Sequence, residues 1–273
     1  MNILYLASIF ACIFIIFFIY KSTITPIESS TKEKKNNKKF ILTITTDLDT
    51  KERKEDKWKI FCKAIDSILY HDKNINLFID IYVINEYSLT PKEDWKIKMS
   101  NKYSYINFIQ KTKDLSGHGK SLNLILDLIK PYTYWIHWDE SWYSTRSFIF
   151  DAIQIMDNTK ITQLQFTIEN NQTDWEEKIV LADCHKMPNN NNYCILKYNT
   201  EDYPKFNLDE EITDKIFTVY SIKPSINRVK NYNFGKFIVD LNYYPIKYEI
   251  EFGQRWMNNK YIKAIFLEGS VTR

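Results

Sequence analysis

The sequence predicts an α/β fold with a mixed, largely parallel sheet flanked by helices, on three observations. Apolar, β-branched runs alternate with segments of helical periodicity, the order that builds βαβ units. One run, Tyr132 to Trp142, is dense in aromatic and β-branched residues and then stops on Asp139 and Glu140. Such a composition marks a buried strand, and acids at its carboxyl end lie where open α/β sheets bind ligands. The chain has 273 residues. Without its first forty that leaves roughly 230, which suits one α/β domain.

Residues Ile3 to Tyr20 carry no charge and are almost all Ile, Phe, Leu, Ala and Tyr. That run is long enough to span a bilayer. A cleaved signal peptide would need a charged start and a small-x-small site, and neither is evident. The expectation is a single-pass signal-anchor over residues 1–20. Residues 21–39 contain Pro26 and the run Thr-Lys-Glu-Lys-Lys-Asn-Asn-Lys-Lys, a flexible basic linker. Its charge on the domain side argues for a cytoplasmic domain. The sequon Asn171-Gln172-Thr173 argues for a lumenal one, which is slightly favoured.

The folded part is expected over residues 40–273. Phe40 to Thr46 reads as the first strand and stops at Asp47 and Asp49. Trp58, Phe61, Ile65, Ile68 and Leu69 recur at helical spacing. Leu77 to Ile84 and Tyr105 to Ile109 are strands, and Ser121 to Lys130 is a helix leading to the central strand. Ser144 or Thr145 is placed to cap a helix with Phe148, Ala152, Ile153 and Met156 on one face. Leu164, Phe166 and Ile168 alternate as a half-buried strand does. Asn170 to Asp214 reads as an inserted loop or hairpin region. Phe217 to Ile222 is a strand, Glu249 to Asn258 a helix and Tyr261 to Leu267 a last strand.

Net charge is +3, so no nucleic-acid footprint is visible. Four cysteines occur without a Cys-x-x-Cys pair, which argues against structural zinc. Cys184 and Cys194 flank an Asn-rich stretch and form either a disulfide or two free thiols; Cys12 and Cys62 lie in the apolar run and the first helix. His71, His118 and His185 read as surface residues and His137 as a packed one. Trp58, Trp95 and Trp175 read as packing.

Gly117-His118-Gly119-Lys120-Ser121 follows a strand and opens a helix, the context of a phosphate-cradling P-loop. The fingerprint needs glycine five positions before Gly119, where Asp114 stands. A different pattern fits the spacing. Gly119-Lys120-Ser121-Leu122-Asn123 leads to the acids that begin at Asp139. His137-Trp138-Asp139-Glu140-Ser141-Trp142 is similar to a strand ending in His-x-Glu-Asp-Asp-Trp. Two later stretches, Ser221 to Arg228 and Tyr248 to Phe252 with Arg255 and Asn258 to Tyr261, follow in order. Together these resemble family 2 glycosyltransferases, of GT-A (Rossmann-like) fold, over most of Phe40 to Arg273.

The resemblance implies a membrane-anchored enzyme that moves a sugar from a nucleotide-sugar donor to a hydroxyl of a glycan or protein acceptor, metal-assisted and inverting. Thr45, Asp47, Asp49, Lys120, Asn123 and Trp142 would contact the donor. Asp139, Glu140 and Ser141 would hold Mn2+ or Mg2+ against the diphosphate. Glu249 or Glu251 would be the base. Two apart on a helix, these point about 200° from one another. Glu249 is the first choice, and Glu251 would turn to solvent or pair with Arg255. Two acids merely exposed at a helix start remain the alternative. Ser141 departs from the family's final acid, and the family's late histidine has no match. A degenerate binding domain therefore stays open beside the enzyme, as does a P-loop-like nucleotide-binding protein.

Overall fold

A computed structural model describes residues 39–52, 55–167, 179–198, 220–238 and 245–272. The anchor, the linker, the sequon and Trp175 lie outside the described residues. Among those described, no helix is long and apolar enough to cross a membrane.

The chain enters on β1 (Phe40–Thr46), whose seven residues pack inward from Ile41 on. After a two-residue ribbon, Lys51–Glu52 with Glu55–Asp56, comes α1 (Lys57–His71). Asp56 caps it by accepting from the Trp58 amide. β2 (Ile79–Asn85), α2 (Trp95–Lys102) and β3 (Ile106–Gln110) follow. Next are α3 (His118–Leu128) and the central β4 (Tyr134–Asp139), then α4 (Ile149–Asn158) and β5 (Gln163–Gln165). β6 (Ile179–His185) and β7 (Tyr193–Tyr198) form a hairpin. β8 (Ser225–Arg228), α5 (Pro245–Asn258) and β9 (Lys263–Phe266) complete the described elements.

The strands form one sheet in the order β3-β2-β1-β4-β8-β5-β9-β7-β6. β1 to β4 are mutually parallel, with Thr45 opposite Asp139. β8 runs antiparallel between β4 and β5, and the β6–β7 hairpin is antiparallel at the far edge. Leu42, Ile44, Phe61, Ile136, Trp138 and Phe148 fill the core on one face. Ile41, Leu122, Trp135, Tyr220, Phe252 and Trp256 fill it on the other. The alternation Ile136 and Trp138 against Trp135 and His137 is the period-2 pattern of a strand buried on both faces.

Several expectations are corrected. The helix expected from Ser121 begins at His118, because Gly117 (φ 109°) turns the chain one step earlier. Neither Ser144 nor Thr145 caps α4. Asp72 does so from the end of α1, accepting from the Phe148 and Ile149 amides and the Ser147 hydroxyl. Ser144 instead pairs with Val271 in a short two-stranded ribbon. Tyr220 to Ile222 is not strand, and the ladder starts at Ser225. Ile168 and Phe217 lie outside the described residues. Cys184 and Cys194 are directly opposite on the β6–β7 hairpin and form a disulfide.

Candidate functional site

Parallel strands bring their carboxyl ends to one edge, and there the charged residues gather. Asp47 follows β1, Glu86 follows β2, Lys111 follows β3, Asp139 ends β4 and Glu140 follows it. The heads of α1 and α3 contribute Lys57 and His118.

Lys111 is 2% exposed. Its Nζ donates to Glu86 Oε2 at 2.7 Å, Ser121 Oγ at 2.7 Å and the Gly117 carbonyl at 3.0 Å. Burial pulls the lysine below its ordinary pKa, and Glu86 works against that. For Glu86 burial acts upward, but Lys111 and the Tyr87 and Gly117 amides outweigh it and hold the carboxyl below its usual range. This ion pair pins the entry of α3 to the edge of the sheet.

Glu140 is 5% exposed, and its Oε1 lies 2.8 Å from Lys57 Nζ. Burial and the neighbouring Asp139 raise its pKa to about 7, which Lys57 only partly offsets. Asp139 Oδ1 accepts from both the amide (2.8 Å) and the hydroxyl (2.7 Å) of Ser141. The charge of Asp139 acts on His118 and His137 as well as on Glu140. Among the described residues no three His, Cys, Asp or Glu side chains converge on one point. The set Asp139, Glu140 and Ser141 is a poor fit to Mn2+ or Mg2+ on other grounds: Glu140 is already ion-paired to Lys57, and Ser141 brings no charge and donates its hydroxyl proton to Asp139.

Glu249 lies in the second turn of α5, not the first. Its Oε1 accepts from the Ile222 amide at 2.7 Å and the Ser221 hydroxyl at 3.2 Å. Burial raises its pKa, while those donors, Lys263 and Lys223 act against the rise. His137 is held to the backbone of the same Ile222, and burial lowers its pKa to about 4, so it is neutral. Glu251 pairs with Arg255, whose guanidinium also donates to the carbonyls of Phe234 and Lys236.

His118 is half-buried against the ring of Tyr248 (centroids 6.3 Å apart), not a surface residue. Its Nε2 has no hydrogen-bond partner among the described residues. A Cβ on Gly119 would come 3.0 Å from that tyrosine ring. Gly119 thus allows the close approach of α3 to α5. Lys120, the P-loop lysine of the sequence pattern, turns away to the Asp114 carbonyl at 2.7 Å.

Three more of the residues expected at the donor have partners within the chain. Asn123 uses both ends of its amide on the Phe237 backbone, at 2.8 and 3.0 Å, fastening the stretch after β8 to α3. Asp49 clasps the Lys92 amide and Trp95 Nε1, at 2.8 and 2.9 Å. Trp142 packs on the core beside Trp138, whose Nε1 donates to its carbonyl. Thr45 is 9% exposed within β1. Asp47 is half-buried at the edge, raised by burial and lowered by Lys57, and stays in the crevice. Lys57, Glu86, Lys111 and His118 escaped the sequence reading, since a lysine beside a strand carries no mark of its partner. A cavity of about 680 Å³ adjoins this edge, lined by Tyr87, Trp95, Phe108, Gln110 and Lys111 among others.

No family model and no curated protein matches the sequence. Solved structures do match. Residues 1–349 of S. aureus TarS superpose with a TM-score of 0.52 at 15% identity, over 85% of this chain and 59% of that one. The same piece in complex with UDP gives 0.51 at 14%, with the same coverage. A structure titled simply as S. aureus TarS gives 0.52 at 15%, over 85% of this chain and 36% of that one. The chain thus spans less than two thirds of the structures it matches. What the likeness establishes is the fold: a mixed α/β domain with a largely parallel central sheet and helices on both faces.

Proposed function

We propose that residues 40–273 form a nucleotide-sugar-dependent glycosyltransferase of GT-A type. The observation that carries this is the pairing of two features in one fold. A charged crevice at the carboxyl edge of the parallel strands is joined, through His137 and Ile222, to a carboxylate on α5 whose pKa burial has raised. The UDP complex of TarS supports a diphosphate donor for the same fold.

The donor's diphosphate would lie over the crevice between β1 and β4, near Asp47 and Lys57. An acceptor hydroxyl, from a glycan or a protein, attacks the anomeric carbon as the bond to the diphosphate breaks. Glu249 takes the hydroxyl proton, and the nucleoside diphosphate leaves with the bonding pair. A single displacement of this kind inverts the anomeric centre. A base with a raised pKa suits work near neutrality. Asp139, beside His118 and His137, would orient the donor. Ser141, lacking the acid of the family pattern, favours the second reading, a glycosyltransferase-like domain that binds without transferring.

A thermal-shift screen tests the donor. At a hundredfold excess over Kd, a ligand bound only by the native state adds about 2.7 kcal/mol. UDP- or GDP-sugars are expected to raise the melting temperature; no shift with any nucleotide-sugar would sink the reading.

The chain is further proposed to be held in a membrane by residues 3–20, with the domain on the lumenal side. The Cys184–Cys194 disulfide supports that side, because such bonds persist in oxidising compartments. Full-length protein is expected to stay in the membrane pellet through carbonate and high-salt washes, and protein lacking residues 1–39 to be soluble. Full-length protein in the soluble fraction would overturn the anchor.

A further inference from the structure

We propose that Lys57, not a divalent cation, supplies the positive charge that meets the donor's diphosphate. The inference rests on the glycosyltransferase reading and departs from the metal chemistry that the family resemblance implies.

Each acid already has a partner within the chain. Glu140 is buried and ion-paired to Lys57 at 2.8 Å. Asp139 Oδ1 is taken by the amide and hydroxyl of Ser141 on the same turn. Ser141 brings no charge, and its hydroxyl proton is donated to Asp139. A hard cation takes oxygens at 2.0–2.6 Å, and beside a diphosphate it is held through one or two protein carboxylates. To use both acids here it would have to displace Lys57 from Glu140.

Lys57 is placed for the substitute role. It is the first residue of α1, so its ammonium adds to the positive end of a fifteen-residue helix. Its side chain is 20% exposed, open enough to meet a ligand. It reaches Glu140 after β4, and its charge also acts on Asp47 after β1. β1 and β4 are adjacent, with Thr45 opposite Asp139. The ammonium therefore stands over the crevice between two neighbouring parallel strands, where such sheets take phosphates. Lysine binds phosphate as a point charge and needs no bidentate geometry.

The test is calorimetry of UDP and GDP with full-length protein in detergent, in excess EDTA and in excess Mn2+. Affinity is expected to agree between the two conditions within about twofold, a difference well under 1 kcal/mol. Lys57→Ala should weaken binding by ~10-fold or more, the worth of one charge-assisted hydrogen bond. Lys57→Arg should restore most of it, and unchanged circular dichroism in Lys57→Ala would exclude misfolding as the cause. Binding only in Mn2+ would overturn this inference and leave the donor site standing. Equal affinity in Lys57→Ala and wild type would overturn it too. Absence of binding in both conditions would remove the donor site itself, and this inference with it.

Discussion

Glu249→Gln is expected to leave donor binding nearly intact and to lower sugar transfer by ~10²-fold or more, the usual contribution of a general base. The substitution is close to isosteric. The amide oxygen can still accept from the Ile222 amide and the Ser221 hydroxyl, so the local structure should hold. What goes is the basic lone pair. Glu251→Gln is the control. That residue pairs with Arg255 on its own helix and should cost transfer little. The pH profile follows from the direction of the shift. Burial puts the folded pKa of Glu249 above 4.5, so transfer should rise as pH climbs through the raised value. Stability moves the opposite way. The folded state keeps the proton longer than the unfolded state, so Glu249 favours folding at acid pH, and this is lost as pH rises. Relative to the wild type, Glu249→Gln should therefore gain stability above pH 4.5. Transfer rate and donor affinity measured together decide the matter. Equal small losses in both variants would remove Glu249 as the base.

Lys111→Met should destabilise the domain by about 3 kcal/mol, the lower end of the cost of breaking a buried ion pair. Methionine fills a similar volume, so packing is largely kept. The loss is electrostatic: Glu86 keeps its charge without its cation, and the Ser121 hydroxyl and Gly117 carbonyl lose a donor. For a domain of this size the melting temperature should fall by roughly 6–12 °C. Adding Glu86→Gln to Lys111→Met should recover part of the loss, since no buried charge is then stranded. Urea melts of the two variants measure it, and a loss below about 1 kcal/mol in the single variant would show that the pair does not hold α3 in place.

The parallel half of the sheet was legible in the sequence because β1 and β4 are buried on both faces, and β1, β2 and β4 are all rich in apolar and β-branched residues. The half beyond β4 was not. β8 reads Ser-Ile-Asn-Arg, yet Ser225 and Asn227 are fully buried. Gln163 reaches across to them, donating to Asn227 Oδ1 at 2.9 Å and to the Ser221 carbonyl at 2.8 Å. A strand whose inward side chains are polar and mutually satisfied is invisible to hydrophobic periodicity. α2 was missed for a related reason: only Trp95 and Met99 of its eight residues are buried, too few to set a period. The cap of α4 comes from Asp72, distant in sequence, and no local motif could announce it.

The site divides along the same line. Asp139 and Glu249 stood out because acids at a strand end and early in a helix are local features. Their surroundings were not local. Lys57, Lys111 and His118 are brought to the crevice by three different elements, and nothing adjacent in sequence records whom a lysine will face. The metal expectation came from a motif, and a motif does not record that Lys57, far away in sequence, pairs with Glu140.

The antiparallel β8 between β4 and β5 also governs the order in which a ribosome can deliver this sheet. β1, β2, β3 and β4 leave the exit tunnel consecutively and are joined by helices, so they can dock as they emerge. The outer edge of β4 must then wait, its amides and carbonyls unpaired, until residue 228 has been synthesised. Throughout that interval an apolar strand edge carrying Trp135 and Trp138 is open to any other extended chain. The closing strand is itself polar at its buried positions, so collapse alone will not draw it in. The growing chain is therefore most exposed to aggregation after its apolar half is complete and before its polar half has arrived.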